Sequence, residues 1–183
     1  PSQSSAASDV YKRQNSLESI YEKLEKRINK RNFSSYQFYK RDSYNISCNW
    51  KIYMDNYLEG LHIPIVHSEL NKTINYKSYK TETHGQFSLQ WCSIDPQLNP
   101  YKNDSSEDLI AYYVTIFPNV ILNIAPGRLQ TNIVEPIDEK NCLVHFDYYF
   151  EQIDEKQVQR DLDFSDMIQS CLLYTSDAAD DCE

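Results

Sequence analysis

The segment NWKIYMDNYLEGLHIPIVHSEL, residues 49–70, carries two of the four histidines of this 183-residue chain, His62 and His67. Carboxylates lie in the same segment, at Asp55, Glu59 and Glu69. Two neutral imidazoles and one carboxylate are the donor set of a non-haem Fe(II) site that keeps open positions for oxygen and substrate. The segment therefore predicts a candidate metal centre built around a helix.

The spacing of the two histidines predicts an interrupted helix. On a regular helix of 3.6 residues per turn, positions five apart diverge by about 140°. Pro64 lacks a backbone N–H and clashes with the preceding turn, so we expect the helix to end after Leu61 and the two rings to converge. Glu59 precedes His62 by three residues on the same helical face and is placed to orient that imidazole. Histidines that are merely interfacial remain the alternative for this spacing.

The helix that leads into the histidines has two different faces. An apolar stripe is predicted to pack in the core, and it comprises Trp50, Met54, Tyr57, Leu58 and Leu61. A polar stripe beside it contains Asp55, Asn56, Glu59 and His62. A helix that buries one face and presents acid, amide and imidazole groups on the next is typical of the wall of an active site.

Composition argues against several classes of partner. The formal net charge of −9 and the pI of about 4.9 disfavour binding to nucleic acid or to an anionic membrane through bulk charge. No apolar run has the length of a membrane-spanning helix, and the N-terminus lacks the apolar region of a signal peptide. The five cysteines are scattered without a C-x-x-C spacing, which favours a reduced, cytoplasmic setting over a disulfide framework.

Hydrophobic periodicity predicts an α+β fold in one domain. Helical patterns begin at Asn15 and at Lys51, and a third covers residues 151–170 with Val158, Leu162 and Ile168 facing inward. The acidic residues of that third helix, Asp161, Asp163 and Asp166, are expected on a solvated face. Alternating patterns predict strands over 36–40, 44–50, 75–82, 84–92, 109–117, 120–125, 129–134 and 142–150. Short turns between the later strands predict a curved, meandering antiparallel sheet with helices packed on one side.

The two ends of the chain resemble one DNA adaptor translated from both strands. Asp9 to Gln14 can be encoded as GAT GTG TAT AAG AGA CAG. The reverse complement of that string, read one base in, gives codons for Cys171 to Thr175 and the start of Ser176. Extending the string outward accounts for Ser4 to Ser8 and for residues 177–180. We therefore expect residues 1–14 and 171–183 to be non-native peptide and residues 15–170 to be the biological segment, with both real termini cut away.

The segment 49–70 resembles the iron-binding segment of Rieske-type non-haem iron oxygenases, the aromatic-ring-hydroxylating dioxygenases, in their large (alpha) subunit. Three later stretches are also similar to the catalytic domain of that family: FPNVILNIAPGRLQTNIVEPI at 117–137, LVHFDYYF at 143–150 and DFSDMIQS at 163–170. The strongest likeness is to the branch that acts on choline, carnitine and related quaternary amines.

The resemblance implies a helix-grip catalytic domain with His62 and His67 as iron ligands. It implies that Glu59 links the iron to the Rieske cluster of a neighbouring subunit, and that Asn56 lies close to the iron. The implied cofactors are Fe(II), a Rieske [2Fe–2S] cluster in an N-terminal domain, and NAD(P)H acting through a partner reductase or ferredoxin. The implied partners are O2 and a small-molecule substrate, in a homotrimer, with no nucleic acid and no membrane.

Two parts of the family pattern are absent from the sequence. The paired C-x-H and C-x-x-H motifs that hold a Rieske cluster do not occur together. The family's third iron ligand is an aspartate that follows F-S-D-x-x-Q-x and a glutamate, but Cys171 and Leu172 stand at those two positions. We therefore expect weak iron binding and no turnover from this chain alone.

Other residues admit two interpretations. Aromatic candidates for holding a cationic substrate are Phe87, Trp91, Tyr112 and Tyr113, although each also fits the core. His84 and His145 lie on strand patterns and are interpreted as structural or surface residues. A second class of function stays open, in which a metal-free helix-grip module binds an apolar or cationic ligand in its cavity. Such a module has no need for Asn56, Glu59, His62 and His67 together.

Overall fold

The computed structural model describes residues 17–28, 31–95 and 109–180, with the side chains of 17, 68, 69 and 170–180 left out. The chain divides into two compact units, residues 1–32 and 33–183. The first unit contains helix α1, Leu17–Glu25. Ile20, Leu24 and Ile28 are buried there, as their helical spacing predicts, whereas Tyr21 is half exposed. The predicted N-cap of this helix, Asn15, lies outside the described residues.

The second unit is built on one seven-stranded antiparallel sheet. Its strands are β1 (Gln37–Ile46), β2 (Lys80–Thr83), β3 (Phe87–Ser93), β4 (Ile110–Ile116), β5 (Val120–Ala125), β6 (Arg128–Pro136) and β7 (Cys142–Phe150). Strands β2 to β7 follow one another as a meander, and β1 returns to pair with β7. The predicted turn at Pro126-Gly127 joins β5 to β6, and Gly127 takes the positive φ of 73° that a tight hairpin requires.

The helices of this unit are α2 (Trp50–Tyr57), α3 (Ile63–Val66), α4 (Ser68–Thr73) and α5 (Glu155–Asp180), with a 3₁₀ turn at Tyr76–Ser78. Helices α2 and α5 share one hydrophobic core with the sheet. Met54 of α2 and Val158 and Leu162 of α5 pack there with the alternate residues of β7, among them Phe146 and Tyr148. Burial of this apolar surface makes the largest contribution to holding the helices against the sheet.

The α+β class, the antiparallel meander and the packed helices agree with the sequence prediction. Three details differ from it. The two strands predicted over 36–50 are one strand, β1, with an irregularity between Phe38 and Lys40. The predicted strand over 75–82 begins as a 3₁₀ turn and is extended only from Lys80. Asp161, expected in solvent, is buried in the structure.

The end of α2 also differs from the prediction. The helix ends at Tyr57, not at Leu61, and the next helix starts at Ile63 with Pro64 in its first turn. Leu58 and Leu61 are therefore 39% and 77% exposed and lie outside the predicted core stripe. Proline is well tolerated at this helical position because the N–H groups of a first turn have no intrahelical acceptor. None of the described helices combines the length and the apolar character needed to cross a membrane.

Candidate metal centre

Helix α2 starts with a defined cap and leads toward the candidate centre. The side chain of Asn49 accepts a hydrogen bond from the backbone N–H of Lys51 at 3.0 Å, and its Nδ2 donates to the carbonyl of Glu139 at 2.9 Å. Asparagine is a favoured N-cap because its side chain replaces an acceptor that the first turn lacks. The last residue of the helix, Tyr57, is followed by the connection 58–62, which contains Glu59 and His62.

The two histidines converge, as their spacing around Pro64 predicts. His62 precedes the single turn of α3 and His67 follows it. Their ring centroids lie 5.0 Å apart with an interplanar angle of 73°. Both line one cavity together with Asn56 and Glu59. The fold thus brings together all four residues that the sequence nominates. The two rings converge because a new short helix, α3, lies between them, and not because a single helix simply ends.

Glu59 fixes the orientation of the His62 ring. One carboxylate oxygen pairs with His62 Nδ1, and the other accepts the backbone N–H of Leu61. Burial raises the pKa of the Glu59 carboxyl, but the hydrogen bonds from His62 and Leu61 outweigh it, so the pKa lies below its usual value. An ionised carboxylate only accepts, and His62 Nδ1 must therefore carry the proton. The lone pair of His62 is then on Nε2, where a metal can use it.

His67 is held in the neutral form that metal binding needs. Its ring is buried, with 4% of the residue exposed. Burial, and then the nearby His62, lower the pKa of His67 to about 4. Its Nδ1 has no hydrogen-bond partner within the described residues. A buried neutral imidazole with unused hydrogen-bonding capacity fits a ferrous ion, because ligand histidines must be deprotonated.

In the described part of the chain no carboxylate joins His62 and His67 as a third metal ligand, and no group of three metal-ligating side chains is found there. Asp55 is exposed, and the side chain of Glu69 is not described. On α5, Asp163 and Asp166 are exposed and Asp161 does not line the cavity. The residues present therefore fit iron as two of its three protein ligands.

A cavity of about 110 Å³ lies between the sheet and helices α2 and α5. Its floor is a cross-strand row in which each residue faces the next across the ladder: Gln130, Asn123, Tyr113 and Gln90. The row continues outside the cavity to the buried Tyr148, which faces Gln130. Directly opposite side chains on one face of a sheet are close enough to interact, so the row is a continuous polar and aromatic surface. Helix α5 supplies the opposite wall with Phe164, Ser165, Ile168 and Gln169.

Three tyrosines form one side of the cavity: Tyr57, Tyr79 and Tyr113. The ring of Tyr113 stacks on Tyr79 and meets the edge of Tyr57, each at a centroid distance of 6.4 Å. Faces of aromatic rings attract cations, and a quaternary ammonium group suits such a wall. Of the four aromatic candidates from the sequence, Tyr113 alone is among the residues that line this cavity. Phe87 and Tyr112 are buried in the core.

His84 and His145 lie away from the cavity, as expected. The His84 ring stacks on Phe87 and pairs with Glu82, and His145 Nδ1 pairs with the hydroxyl of Ser43 at 2.8 Å. Sequence reasoning did not nominate Tyr57, Tyr79, Gln90 or Arg128 as cavity residues. They come from the end of α2, the 3₁₀ turn and strands β3 and β6, far apart in sequence, and only the tertiary fold brings them together.

Arg128 places a buried cation in the cavity wall. Its Nη2 donates to Gln130, its guanidinium lies 5.6 Å from the centre of the Tyr148 ring, and Asp161 interacts with it electrostatically. The cavity therefore offers an aromatic wall that suits a cation and a guanidinium that suits an anionic group.

A long helix packed on an antiparallel sheet, with a histidine-lined cavity between them, is the helix-grip architecture that the sequence predicts. The family model of the ring-hydroxylating alpha subunit, catalytic domain, matches residues 33–172. The chain belongs to this family, which confirms the resemblance seen in the sequence.

Several curated proteins are similar to the chain over most of its length. Choline monooxygenase, chloroplastic, of Arabidopsis thaliana is 33% identical over 135 residues, covering 70% of this chain and 31% of its own length. The carnitine monooxygenase oxygenase subunit of Acinetobacter pittii is 32% identical over 117 residues, covering 62% of this chain and 32% of its own length. The chain thus spans about a third of the length of these relatives.

Solved structures share the fold. The quaternary ammonium Rieske monooxygenase CntA, in a complex with an inhibitor, superposes with a TM-score of 0.72 at 18% identity, covering 86% of this chain and 42% of the other. A naphthalene 1,2-dioxygenase variant superposes with a TM-score of 0.63 at 14% identity, covering 91% of this chain and 47% of the other. At these sequence identities the superpositions support the fold alone. That fold is the helix-grip α+β fold predicted from the sequence.

Proposed function

We propose that residues 15–170 are part of the catalytic domain of a terminal oxygenase component, and that the intact parent hydroxylates a small quaternary amine with O2. The observation that carries this proposal is the converging pair His62 and His67 at an aromatic-lined cavity. His62 is oriented by Glu59, and His67 is neutral and buried. The names of the relatives, choline and carnitine monooxygenases, support a quaternary amine as the substrate class.

His62 and His67 would hold Fe(II), which when bound supplies reductive activation of O2. Glu59 holds a proton on His62 Nδ1 and so keeps Nε2 available. The tyrosine wall binds the ammonium group and orients the substrate methyl groups, while the apolar residues of the cavity exclude bulk water. Asn56 lines the same cavity and is assigned a role next to the metal.

The electron supply of the parent is also part of the proposal. We assign it a Rieske [2Fe–2S] cluster in an N-terminal domain, NAD(P)H as the source of electrons, a partner reductase or ferredoxin, and a homotrimeric assembly. The Glu59 side chain is 41% exposed, so a group on a neighbouring subunit can reach it. A cytoplasmic location fits the described cysteines Cys48, Cys92 and Cys142, which form no disulfide with one another.

The assignment of residues 1–14 and 171–183 to adaptor-derived peptide remains a proposal, and sequencing the source DNA tests it. Native codons at the two ends that bear no reverse-complement relation would overturn it. An adaptor junction after residue 170 would instead account for the absence of the third ligand from the chain.

The function is tested by titrating Fe(II) into a chain that is extended along its native reading frame. We expect one equivalent to bind, and we expect His62→Ala and His67→Ala each to abolish stoichiometric binding. His145→Ala is the matched control, because it removes a histidine on β7 that has its own partner outside the cavity. An extended chain that binds no iron would favour the metal-free module, and retention of a quaternary amine by such a protein would establish it.

A further inference from the structure

The connection 58–62 joins α2 to α3 and contains both Glu59 and His62. It is short and lies outside regular helix, so its own backbone bonds do not determine its position. The described hydrogen bonds of its own backbone are local. The N–H groups of Leu58 and Ile63 donate to the carbonyls of Asp55 and Gly60, the Leu61 N–H donates to the Glu59 carboxylate, and the His62 carbonyl accepts from the first turn of α3. None of these bonds reaches the sheet. Contacts with the rest of the unit must therefore hold the middle of the connection in place.

Gln90 of β3 binds the start of this connection. Its side chain is almost fully buried, and its Nε2 donates to the carbonyl of Tyr57 at 2.7 Å. Tyr57 is the last residue of α2, where a carbonyl has no intrahelical N–H to accept from. The other end of the Gln90 amide accepts the hydroxyl of Tyr79 at 2.8 Å. Both ends of the amide are thus used, which a buried polar group requires.

Tyr79 binds the middle of the connection through its ring. A Cβ added at Gly60 would lie 2.5 Å from Cε1 of Tyr79, a distance that real Cβ atoms do not show. The backbone at Gly60, between Glu59 and Leu61, therefore lies close against the hydroxyl end of the ring, nearest to Cε1, Cζ and the hydroxyl oxygen. Gln90 and Tyr79 therefore contact the chain at two points, the Tyr57 carbonyl and Gly60. The hydrogen bond between the two side chains links both points to β3.

We propose that Gln90 and Tyr79 form a strut that sets the position of Glu59 and His62, and so acts as a positioning device for the metal centre. The strut consists of the Tyr57 carbonyl, the Gln90 amide, the Tyr79 hydroxyl and the Tyr79 ring on Gly60. Its consequence for metal binding rests on the proposed function, whereas its effect on the connection does not. Tyr79 also belongs to the tyrosine wall, so the main test uses Gln90, which is assigned no contact with the substrate.

The main test replaces Gln90 by leucine in the whole 183-residue chain. Gln90→Leu keeps the approximate volume and removes both hydrogen bonds. We expect faster amide hydrogen exchange in residues 58–62, and a Kd for Co(II) about tenfold higher, the scale seen when groups that orient a metal ligand are removed. Exchange is followed by mass spectrometry of peptides, and Co(II) binding by absorbance.

Asn132→Leu is the matched control. Asn132 is also a fully buried amide on the same sheet, and it accepts a hydrogen bond from Gln130 at 2.8 Å, but it does not line the cavity. It should lower global stability without selective exchange at 58–62 and without a change in Co(II) affinity. If Gln90→Leu and Asn132→Leu give equal exchange at 58–62, the strut is wrong.

A rescue pair tests the ring contact separately. Gly60→Ala should weaken Co(II) binding, because its new methyl group displaces either the ring or the connection. Gly60→Ala combined with Tyr79→Ala removes the obstacle and should restore part of the affinity relative to Gly60→Ala. Failure of this rescue would overturn the ring contact as a determinant of position. A wild-type chain that binds no Co(II) would contradict the expected weak metal binding by His62 and His67 alone, while the exchange data would still decide the strut.

Discussion

Two buried aspartates in this domain differ in how well their surroundings stabilise the ionised carboxylate. Asp147 on β7 receives two hydrogen bonds from Arg41, from Nε at 2.6 Å and from Nη2 at 2.7 Å. Asp161 on α5 accepts one from Gln157 at 3.0 Å. Burial raises the pKa of Asp161 to about 6, and the attraction of Arg128 and the bond from Gln157 offset only part of that effect. The carboxyl of Asp161 is therefore costly to ionise in the folded state.

This cost predicts a pH-dependent stability. Because Asp161 has a usual pKa of 3.8 and a folded-state pKa of about 6, the folded state binds more protons between these values. Its contribution to the free energy of unfolding is largest below pH 4 and is lost as the pH rises through about 6. Asp161→Asn should remove this slope and raise stability at pH 7 by about 3 kcal/mol, measured by urea denaturation across pH.

Asp163→Asn is the control for that measurement. Asp163 accepts the same kind of i, i+4 bond, from Gln159 at 2.8 Å, but it is exposed. Its substitution should leave both the slope and the stability at pH 7 almost unchanged. Equal effects of the two substitutions would show that burial of Asp161 is not the cause.

At the scale of elements, the N-cap Asn49 fixes the start of α2, the helix that carries Asn56 to the cavity. Asn49 serves both the helix and the loop before β7, because one end of its side chain accepts from Lys51 and the other donates to Glu139. Asn49→Ala should lower the free energy of unfolding by about 1 kcal/mol through loss of the cap. Thermal or urea denaturation measures the change.

Asn49→Asp separates the two interactions. An aspartate keeps the oxygen that caps the helix and loses the donor to Glu139. We therefore expect Asn49→Asp to retain most of the stability that Asn49→Ala loses. A loss of the same size in both variants would assign the effect to the Glu139 contact and reject the cap as its source.

At the scale of the whole molecule, α5 decides whether the metal centre is complete. Ser165, Ile168 and Gln169 of this helix line the cavity. In the family's sequence pattern the aspartate ligand follows Gln169 by three residues, at position 172. The family match also extends to residue 172. We propose that the third ligand belongs at this position, where the chain carries Leu172.

Leu172→Asp should therefore raise the affinity for Fe(II), on the order of tenfold or more, since a charged oxygen donor joins two neutral imidazoles. Anaerobic titration with Fe(II) measures the change, with Leu172→Asn as an uncharged control of similar shape. Unchanged affinity in Leu172→Asp would place the third ligand elsewhere. Even the completed site should not turn over, because electrons require the proposed Rieske cluster.

The sequence by itself determined the local features of this protein. The bounds of β5 and β7 agree with the alternating patterns over 120–125 and 142–150, because alternation and turn residues are properties of neighbours in the chain. The pairing of Glu59 with His62 and the convergence of His62 with His67 were also predictable, since each depends on a spacing of a few residues.

Tertiary structure alone decided the rest. The pairing of β1 with β7, the cross-strand row from Tyr148 to Gln90 and the buried state of Asp161 join residues distant in sequence. Helix α2 ends at Tyr57 and not at Leu61, and the Gln90 side chain on β3 donates a hydrogen bond to the Tyr57 carbonyl at that end. Likewise, the pKa of His67 is lowered only in the folded domain, because burial there removes water from its ring. Periodicity reports which side of an element is apolar, whereas register and burial depend on which distant element covers it.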